Sequence, residues 1–261
     1  MPSVYAHILF AKKVLDRLDC PNRRLFTEQL DEYLVGSLGP DLLFFHPPVF
    51  VGSVAKVGSR LHASPVSGLL EPLRPLVYNG TPYAAAYAAG LICHYVSDHA
   101  LHPTVDSEAA KARISHLGLE TELDRYLAEQ NGLDPLTLRP LADIEPNDRL
   151  FTLMRCIYPC TRQQLRAGWR GIRQTYQLLG SLGGSPLAGV VNIVRPTRGI
   201  ILKKKADPAC RAAVERYAQM LEDAVPTAVF LIDSYFLSVR CNAPLDSAFL
   251  GDFNGREGKG R

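Results

Sequence analysis

Residues 87–120, YAAGLICHYVSDHALHPTVDSEAAKARISHLGLE, set the frame for the whole chain. They place His94 and Asp98 four residues apart, and His116 and Glu120 at the same interval. Residues four apart on a helix project from one face, so each pair can grip a single ion. Neutral imidazole and carboxylate suit zinc, whose nitrogen and oxygen ligands sit at about 2.0–2.2 Å. The stretch is therefore expected to form two successive helices that carry most of a multi-zinc site. The remaining ligands are expected from elsewhere in the N-terminal half, with the C-terminal half walling the site in.

The pattern elsewhere is also helical. Residues 4–18 repeat apolar positions at Ile8, Ala11, Val14, Leu15 and Leu18, with Ser3 as the expected N-cap. A second helix is expected over 24–37. Gly36–Asp41 is a cluster of breakers, and Pro47-Pro48 excludes a long helix from the apolar, irregular stretch 42–60. A helix over 65–76 is followed by an Asn79-Gly80 turn. Thr81 as N-cap and Pro82 at the first helical position open a strong helix that His102-Pro103 ends. Further helices are expected over 107–129, 148–158, 161–180 and 207–240. The segment 181–206 bears Gly, Pro and the run Lys203–Lys205, and the tail 251–261, GDFNGREGKGR, reads as disordered. Alternating β patterns are almost absent. The expected fold is all-α, a compact multi-helix domain with a multinuclear zinc cleft. Residues 1–130 form its ligand-bearing half and 131–250 the half that packs against it.

Composition excludes several classes. Hydrophobic residues are 47% and charged residues 21%, as in ordinary soluble domains. A net charge of +3 is too mild to argue by itself for nucleic acid or an anionic membrane. The longest apolar run, 224–239, is interrupted by Pro226 and Asp233, whereas a spanning helix needs about 20 apolar residues. No transmembrane segment is expected. The first residues lack the basic-then-apolar pattern of a signal peptide, so a cytoplasmic location and reduced cysteines are expected. Cys156 and Cys160 lie one helical turn apart. They read as small half-buried residues, since a Cys-only zinc site needs more ligands than one pair.

All seven histidines (7, 46, 62, 94, 99, 102 and 116) precede residue 117. His102 lies two turns beyond His94, His62 falls on the irregular stretch, and His7 on the first helix. Asp41 follows a Gly-Pro corner that would hold its carboxylate rigidly. Taken singly, each residue has a plainer reading. A histidine in a loop is commonly just solvated, an aspartate after Gly-Pro serves as a cap or turn residue, and His116–Glu120 matches a surface ion pair. Two such pairs plus the clustering of every histidine point jointly to a metal site. His46, beside Pro47-Pro48, and His99, about 100° off the ligand face, are expected to stay outside it.

The series His7, GPD (39–41), LH (61–62), HYVSD (94–98), HP (102–103) and HLGLE (116–120) resembles the zinc-dependent phospholipase C family, whose superfamily includes the fungal single-strand nucleases. The resemblance covers about the first 125 residues and implies two or three zinc ions in a cleft of an all-α fold. It implies that Asp41, His62, His94 and Asp98 hold one ion and His102, His116 and Glu120 a second. His7 and Asp98 would hold a third, so that Asp98 bridges two. In secreted members an N-terminal Trp completes the third site. Here the only Trp is Trp169, and Pro2, once Met1 is removed, would offer the nearest amine.

The implied reaction is hydrolysis of a phosphodiester by a zinc-activated water, with Asp41 as general base and a phospholipid as the first substrate to consider. Transient contact with a membrane surface would follow. Phe44 and Phe45 are candidates to line an apolar opening for substrate, with ordinary core aromatics as the alternative. Arg170, Arg173 and Lys203–Lys205 are candidates to attract phosphate, with a solvated basic face as the alternative. Two other functions fit the same residues: a nuclease or phosphatase on this scaffold, or a non-catalytic zinc-binding module.

Overall fold

The computed structural model describes residues 3–112, 114–182, 199–202 and 205–258. Pro2, Lys203, Lys204 and tail residues 259–261 lie outside the described residues. So does most of the Gly- and Pro-bearing segment 181–206. The chain is all-α, and among the described residues there is no strand.

The helices are α1 (Val4–Arg17), α2 (Cys20–Glu28), α3 (Leu30–Gly36), α4 (Ser53–His62), α5 (Ser67–Leu70), α6 (Arg74–Tyr78), α7 (Ala84–Ala112), α8 (His116–Gln130), α9 (Asp148–Met154), α10 (Arg162–Leu182) and α11 (Arg211–Cys241). A 3-10 segment, η1 (Gly39–Phe45), joins α3 to the loop before α4. One apolar core runs through all of them, from Val4 to Phe253.

At the centre stands α7. Its first half, with Ala84, Ala86, Tyr87, Ala88, Ala89, Leu91, Ile92 and Cys93, is buried on every side, as expected of a helix that is apolar all round. Helices α1, α3, α8 and α11 surround it. Its small residues let α3 approach to near backbone contact. A Cβ on Gly90 would lie 2.0 Å from the Tyr33 carbonyl oxygen. Gly90→Ala must therefore push two helices apart rather than shift a side chain. Overpacking costs about 1–3 kcal/mol, and this site belongs at the upper end. The expected fall in Tm is about 6–12 °C, at roughly 2–4 °C per kcal/mol; a Tm unchanged by calorimetry would refute the close packing.

Several expected boundaries are corrected. The stretch 65–76 divides into α5, a 3-10 turn and α6. Thr81 and Pro82 do not open α7, because Tyr83 adopts a left-handed φ of 70° and helical bonding begins with Tyr87 N–H to the Tyr83 carbonyl. Nor does Pro103 end α7. It faces solvent, where water can replace the one backbone hydrogen bond a proline removes. Helix α7 runs on to Ala112, and Ser115 then caps α8 by accepting from Gly118 N–H at 3.0 Å. Pro226 likewise lies inside α11 without breaking it. By length and composition alone, the helix over Pro208–Cys241 is apolar enough to cross a membrane. Here Val214, Tyr217, Leu221, Ala228, Leu231, Ile232 and Tyr235 bury one face of α11 in the core. The region 42–60 also contains more helix than expected, namely η1 and α4.

The tail is the largest correction. Residues 251–258 are folded rather than disordered: Gly251, Asp252 and Phe253 are buried, and they pack over the end of α4 and across α7. Among the described residues no disulfide links any of the six cysteines.

Candidate metal centre

Because α7 is continuous past Pro103, His94, Asp98 and His102 stand at successive i, i+4 positions on one face. His116 and Glu120 project from the first turns of α8. Asp41 comes from η1 and His62 is the last residue of α4, not a loop residue. His7 comes from α1. All are buried except His116, whose side chain is 21% exposed.

Two groups form. Ligand atoms of Asp41, His62, His94 and Asp98 lie within 4.8 Å of one another, and so do those of His102, His116 and Glu120. In the first, His62 Nε2 is 2.9 Å from Asp41 Oδ1, and His94 Nε2 is 3.2 Å from Asp98 Oδ2. In the second, Glu120 Oε1 is 3.1 Å from His116 Nε2 and 3.7 Å from His102 Nε2. Asp98 Oδ1 stands between the groups, 3.4 Å from His102 Nε2 and 3.3 Å from His7 Nε2. His46 and His99 belong to neither group.

The other ring nitrogens reveal what the Nε2 atoms face. His62 Nδ1–H donates to the Gly58 carbonyl at 2.8 Å, and His94 Nδ1–H to the Ser37 carbonyl at 3.2 Å. Ser97 donates its hydroxyl to the carbonyls of Cys93 and His94, so it accepts from His7 Nδ1–H at 3.0 Å. Burial holds His94 well below the usual histidine pKa and lowers His7 to about 4. Both rings are therefore neutral at pH 7, with a bare Nε2 lone pair directed at carboxylate oxygens. Lone pairs facing anions repel unless a cation lies between them.

The same inconsistency recurs across the site. Among the described residues, His7 Nε2, His62 Nε2, His94 Nε2, Asp98 Oδ2, both nitrogens of His102 and Glu120 Oε2 are buried without a hydrogen-bond partner. Leaving one such atom unsatisfied costs about 1–3 kcal/mol. A tetrahedral zinc with ligands at about 2.0–2.1 Å spaces its donor atoms roughly 3.3 Å apart, close to the separations seen here. The mixed imidazole and carboxylate donor set also suits zinc.

Charge is organised around the two groups. Burial, then repulsion from Asp41, pushes the Asp98 carboxyl well above the usual carboxylate range. Burial works against charge on His116, but Glu120 and Asp106 outweigh it and raise its pKa to about 9. Burial opposes ionisation of Glu120 as well, yet the charge of His116 beside it and the hydrogen bond from that ring hold it low.

Several supporting residues carry no motif. Asp106 Oδ1 accepts from His116 Nδ1–H at 2.6 Å, the carboxylate partner that commonly orients a ligating imidazole. Its position four residues after His102 was the available signal. Asp124, buried at the far end of the site, accepts from Tyr5 and Ala6 N–H at 3.2 and 2.9 Å and so fixes the first turn of α1 beneath His7. Gly39 is required by its φ of +48° and by His94, whose ring would lie 2.4 Å from an added Cβ.

The expected substrate contacts divide. Phe44 is half-buried with its ring 5.2 Å from His62. Phe45 is fully buried against Phe50 and Tyr176. It is the last residue of η1, and its carbonyl packs directly on Gly171 of α10, so it belongs to the core. Arg170 is exposed. Arg173 lies over the Trp169 ring at 6.0 Å and donates to the Ala142 carbonyl.

The family model for zinc dependent phospholipase C matches residues 6–171, well over half of the 261-residue chain. No curated protein matches the chain, and no solved structure matches it. The matched span holds α1, η1, α4, α7 and α8, and with them every member of both buried donor groups. On that match the chain belongs to the zinc-dependent phospholipase C family.

Proposed function

We propose that the chain is a zinc-dependent phosphodiesterase that cleaves the diacylglycerol side of a phospholipid headgroup. In this reading Asp41, His62, His94 and Asp98 hold one ion, and His102, His116 and Glu120 a second. The observation that carries it is Asp98. Its Oδ2 faces His94 and His62, at 3.2 and 3.7 Å, while its Oδ1 faces His7 and His102. A carboxylate so placed links two donor groups. His7 and Asp98 supply two donors toward a third ion, and Pro2 lies outside the described residues, so the assignment stops at two.

Zinc, when bound, lowers the pKa of a coordinated water to about 7 and draws charge from a phosphoryl oxygen. Asp41, held by η1 against His62, takes the proton of the attacking water. Water oxygen bonds to phosphorus, and the bond from phosphorus to the diacylglycerol oxygen breaks. Asp41 then carries the proton that the leaving oxygen needs, and the products are diacylglycerol and a headgroup phosphomonoester. Burial of the donors strengthens each of their charge interactions. Substrate phosphate reaches the site from the His116 edge, and Phe44 is the aromatic placed to meet an apolar part of the substrate.

A second reading, a non-catalytic zinc-stabilised module, is favoured by one observation. The cavity among His7, Asp98, His102 and Glu120 has a volume of ≈ 10 Å³, room for about one water. A hydrolysis screen separates the readings. The purified protein is assayed on phosphatidylcholine vesicles, bis-p-nitrophenyl phosphate and single-stranded DNA, alongside Asp98→Asn. Cleavage of phosphatidylcholine by wild type alone is the expected result. Cleavage of DNA alone would assign a nuclease, and no cleavage of any substrate would leave the structural module. Equal rates in wild type and variant would remove this site from the chemistry.

His116→Ala is expected to lower bound zinc by about one ion per chain, since it takes one of three donors from the second group. Elemental analysis of dialysed protein checks this; full retention of metal would detach His116 from the site.

A further inference from the structure

We propose that the C-terminal segment 248–256 is a built part of the metal centre, with Phe253 as a positioning residue for His62 and His94. The proposal rests on the reading of Asp41, His62, His94 and Asp98 as a zinc site. The segment lies beyond the residues matched to the family, 6–171, so nothing in that match assigns it a role.

Phe253 is fully buried. Its ring centre is 5.2 Å from that of His62 and 5.4 Å from that of His94, and it meets Tyr95 edge-on at 5.7 Å. Each imidazole is anchored at Nδ1 by one hydrogen bond to a backbone carbonyl. A single bond at one edge fixes where a ring sits but leaves its tilt about that bond free. Phe253, touching both rings, removes that freedom and sets the angle between the two Nε2 lone pairs.

The segment also closes the end of α4. His62 is the last residue of that helix, where carbonyls lack partners within the helix. The His62 carbonyl accepts from Phe253 N–H at 3.2 Å and from Asn254 Nδ2–H at 2.8 Å. The loop is held rigid by Asp252, whose Oδ1 accepts from the N–H groups of Asn254 and Arg256, both at 2.9 Å.

Two anchors tie the segment to the outer face of α7. His99 Nδ1–H donates to the Asp252 carbonyl at 2.8 Å, and Tyr95 OH to the Ala248 carbonyl at 2.5 Å. A third ties it to the turn after α4, through Val66 N–H to the Gly251 carbonyl at 3.0 Å. His99, which stands outside both donor groups, thus acts on the site through this segment.

The test compares full-length wild type, Phe253→Ala, Phe253→Leu and Asn254→Ala. Zinc affinity is measured by competition with a chromophoric chelator. The geometry of the site is read from the visible absorption of the cobalt-substituted protein. Removing a group that orients metal ligands typically weakens affinity about 10–100-fold. Phe253→Ala is expected to weaken the tighter-coupled ion of the His62 group by about 10-fold and to alter the cobalt spectrum. Phe253→Leu, which still fills the space, is expected to restore most of both. The ion of the His102 group is expected to keep its affinity in every variant. If Phe253→Ala does not fold, Asn254→Ala carries the test, with a smaller weakening in the same ion. A folded Phe253→Ala, or in its absence Asn254→Ala, with wild-type affinity and spectrum would overturn the proposal alone. A wild-type protein that takes up neither zinc nor cobalt would overturn the metal reading and this proposal together.

Discussion

Asp98→Asn is expected to reduce phosphodiester hydrolysis by about 10³-fold or more, the upper range for loss of one group that stabilises a transition state. The same variant is expected to lose zinc from both donor groups, because Asp98 contributes an oxygen to each side. Its stability should move in opposite directions with and without metal. In the metal-free chain, burial and the neighbouring Asp41 disfavour the Asp98 carboxylate. A carboxyl whose pKa is raised by folding is penalised in the folded state when charged, and neutral asparagine removes that penalty at neutral pH. Metal-free Asp98→Asn is therefore expected to melt at or above the temperature of metal-free wild type. Added zinc should raise the Tm of wild type but not of the variant. Calorimetry on both proteins, with and without zinc, checks the pattern. A metal-free variant that melts well below metal-free wild type would show that Asp98 acts through contacts other than the proposed ions.

Removing metal from wild type should have the largest effect on stability. Each ion bound at a concentration of about 1,000 times its Kd contributes about 4 kcal/mol to folding. Two ions would shift Tm by about 16–32 °C at roughly 2–4 °C per kcal/mol for a domain of this size. The physical cause is the set of buried imidazole nitrogens and carboxylate oxygens that have no hydrogen-bond partner among the described residues. A strong chelator should leave those atoms unsatisfied, and re-addition of zinc should restore the Tm. A melting temperature that ignores the chelator would mean that both groups are content without metal, and would remove zinc from the account of this fold.

The helical class and the two donor pairs are legible from local spacing, whereas the full grouping of donors is what the family resemblance implies. The pairs His94/Asp98 and His116/Glu120 announce themselves because a four-residue interval has one geometric meaning on a helix. What escapes local reading depends on surroundings. Pro103 looks like a stop, but it happens to face water, so α7 continues and His102 joins the face that carries His94 and Asp98. His62 looks like a loop residue because Gly58 and Ser59 are poor helix formers. Yet Gly58 supplies the carbonyl that orients it, and packing against η1 holds α4 together. Phe44 and Phe45 are neighbours with the same side chain, and only the docking of α10 on η1 decides which is core. The tail has the composition of disorder, with four glycines and five charged residues in GDFNGREGKGR. Its order comes from one aromatic side chain and a few backbone bonds to distant helices, and no local pattern encodes those.

The continuity of α7 makes it a ruler. His94 and His102 are eight residues apart on one rigid rod, which sets their backbone separation at about 12 Å from the helical rise. No loop intervenes to stretch or shorten that interval. The two donor groups therefore share one register, and a single residue inserted or deleted between them would swing one group about 100° out of alignment with the other. Substitutions can tune each group separately, but a change of length within this segment alters both at once. The spacing of the centre is thus inherited whole, as a property of one helix rather than of the loops around it.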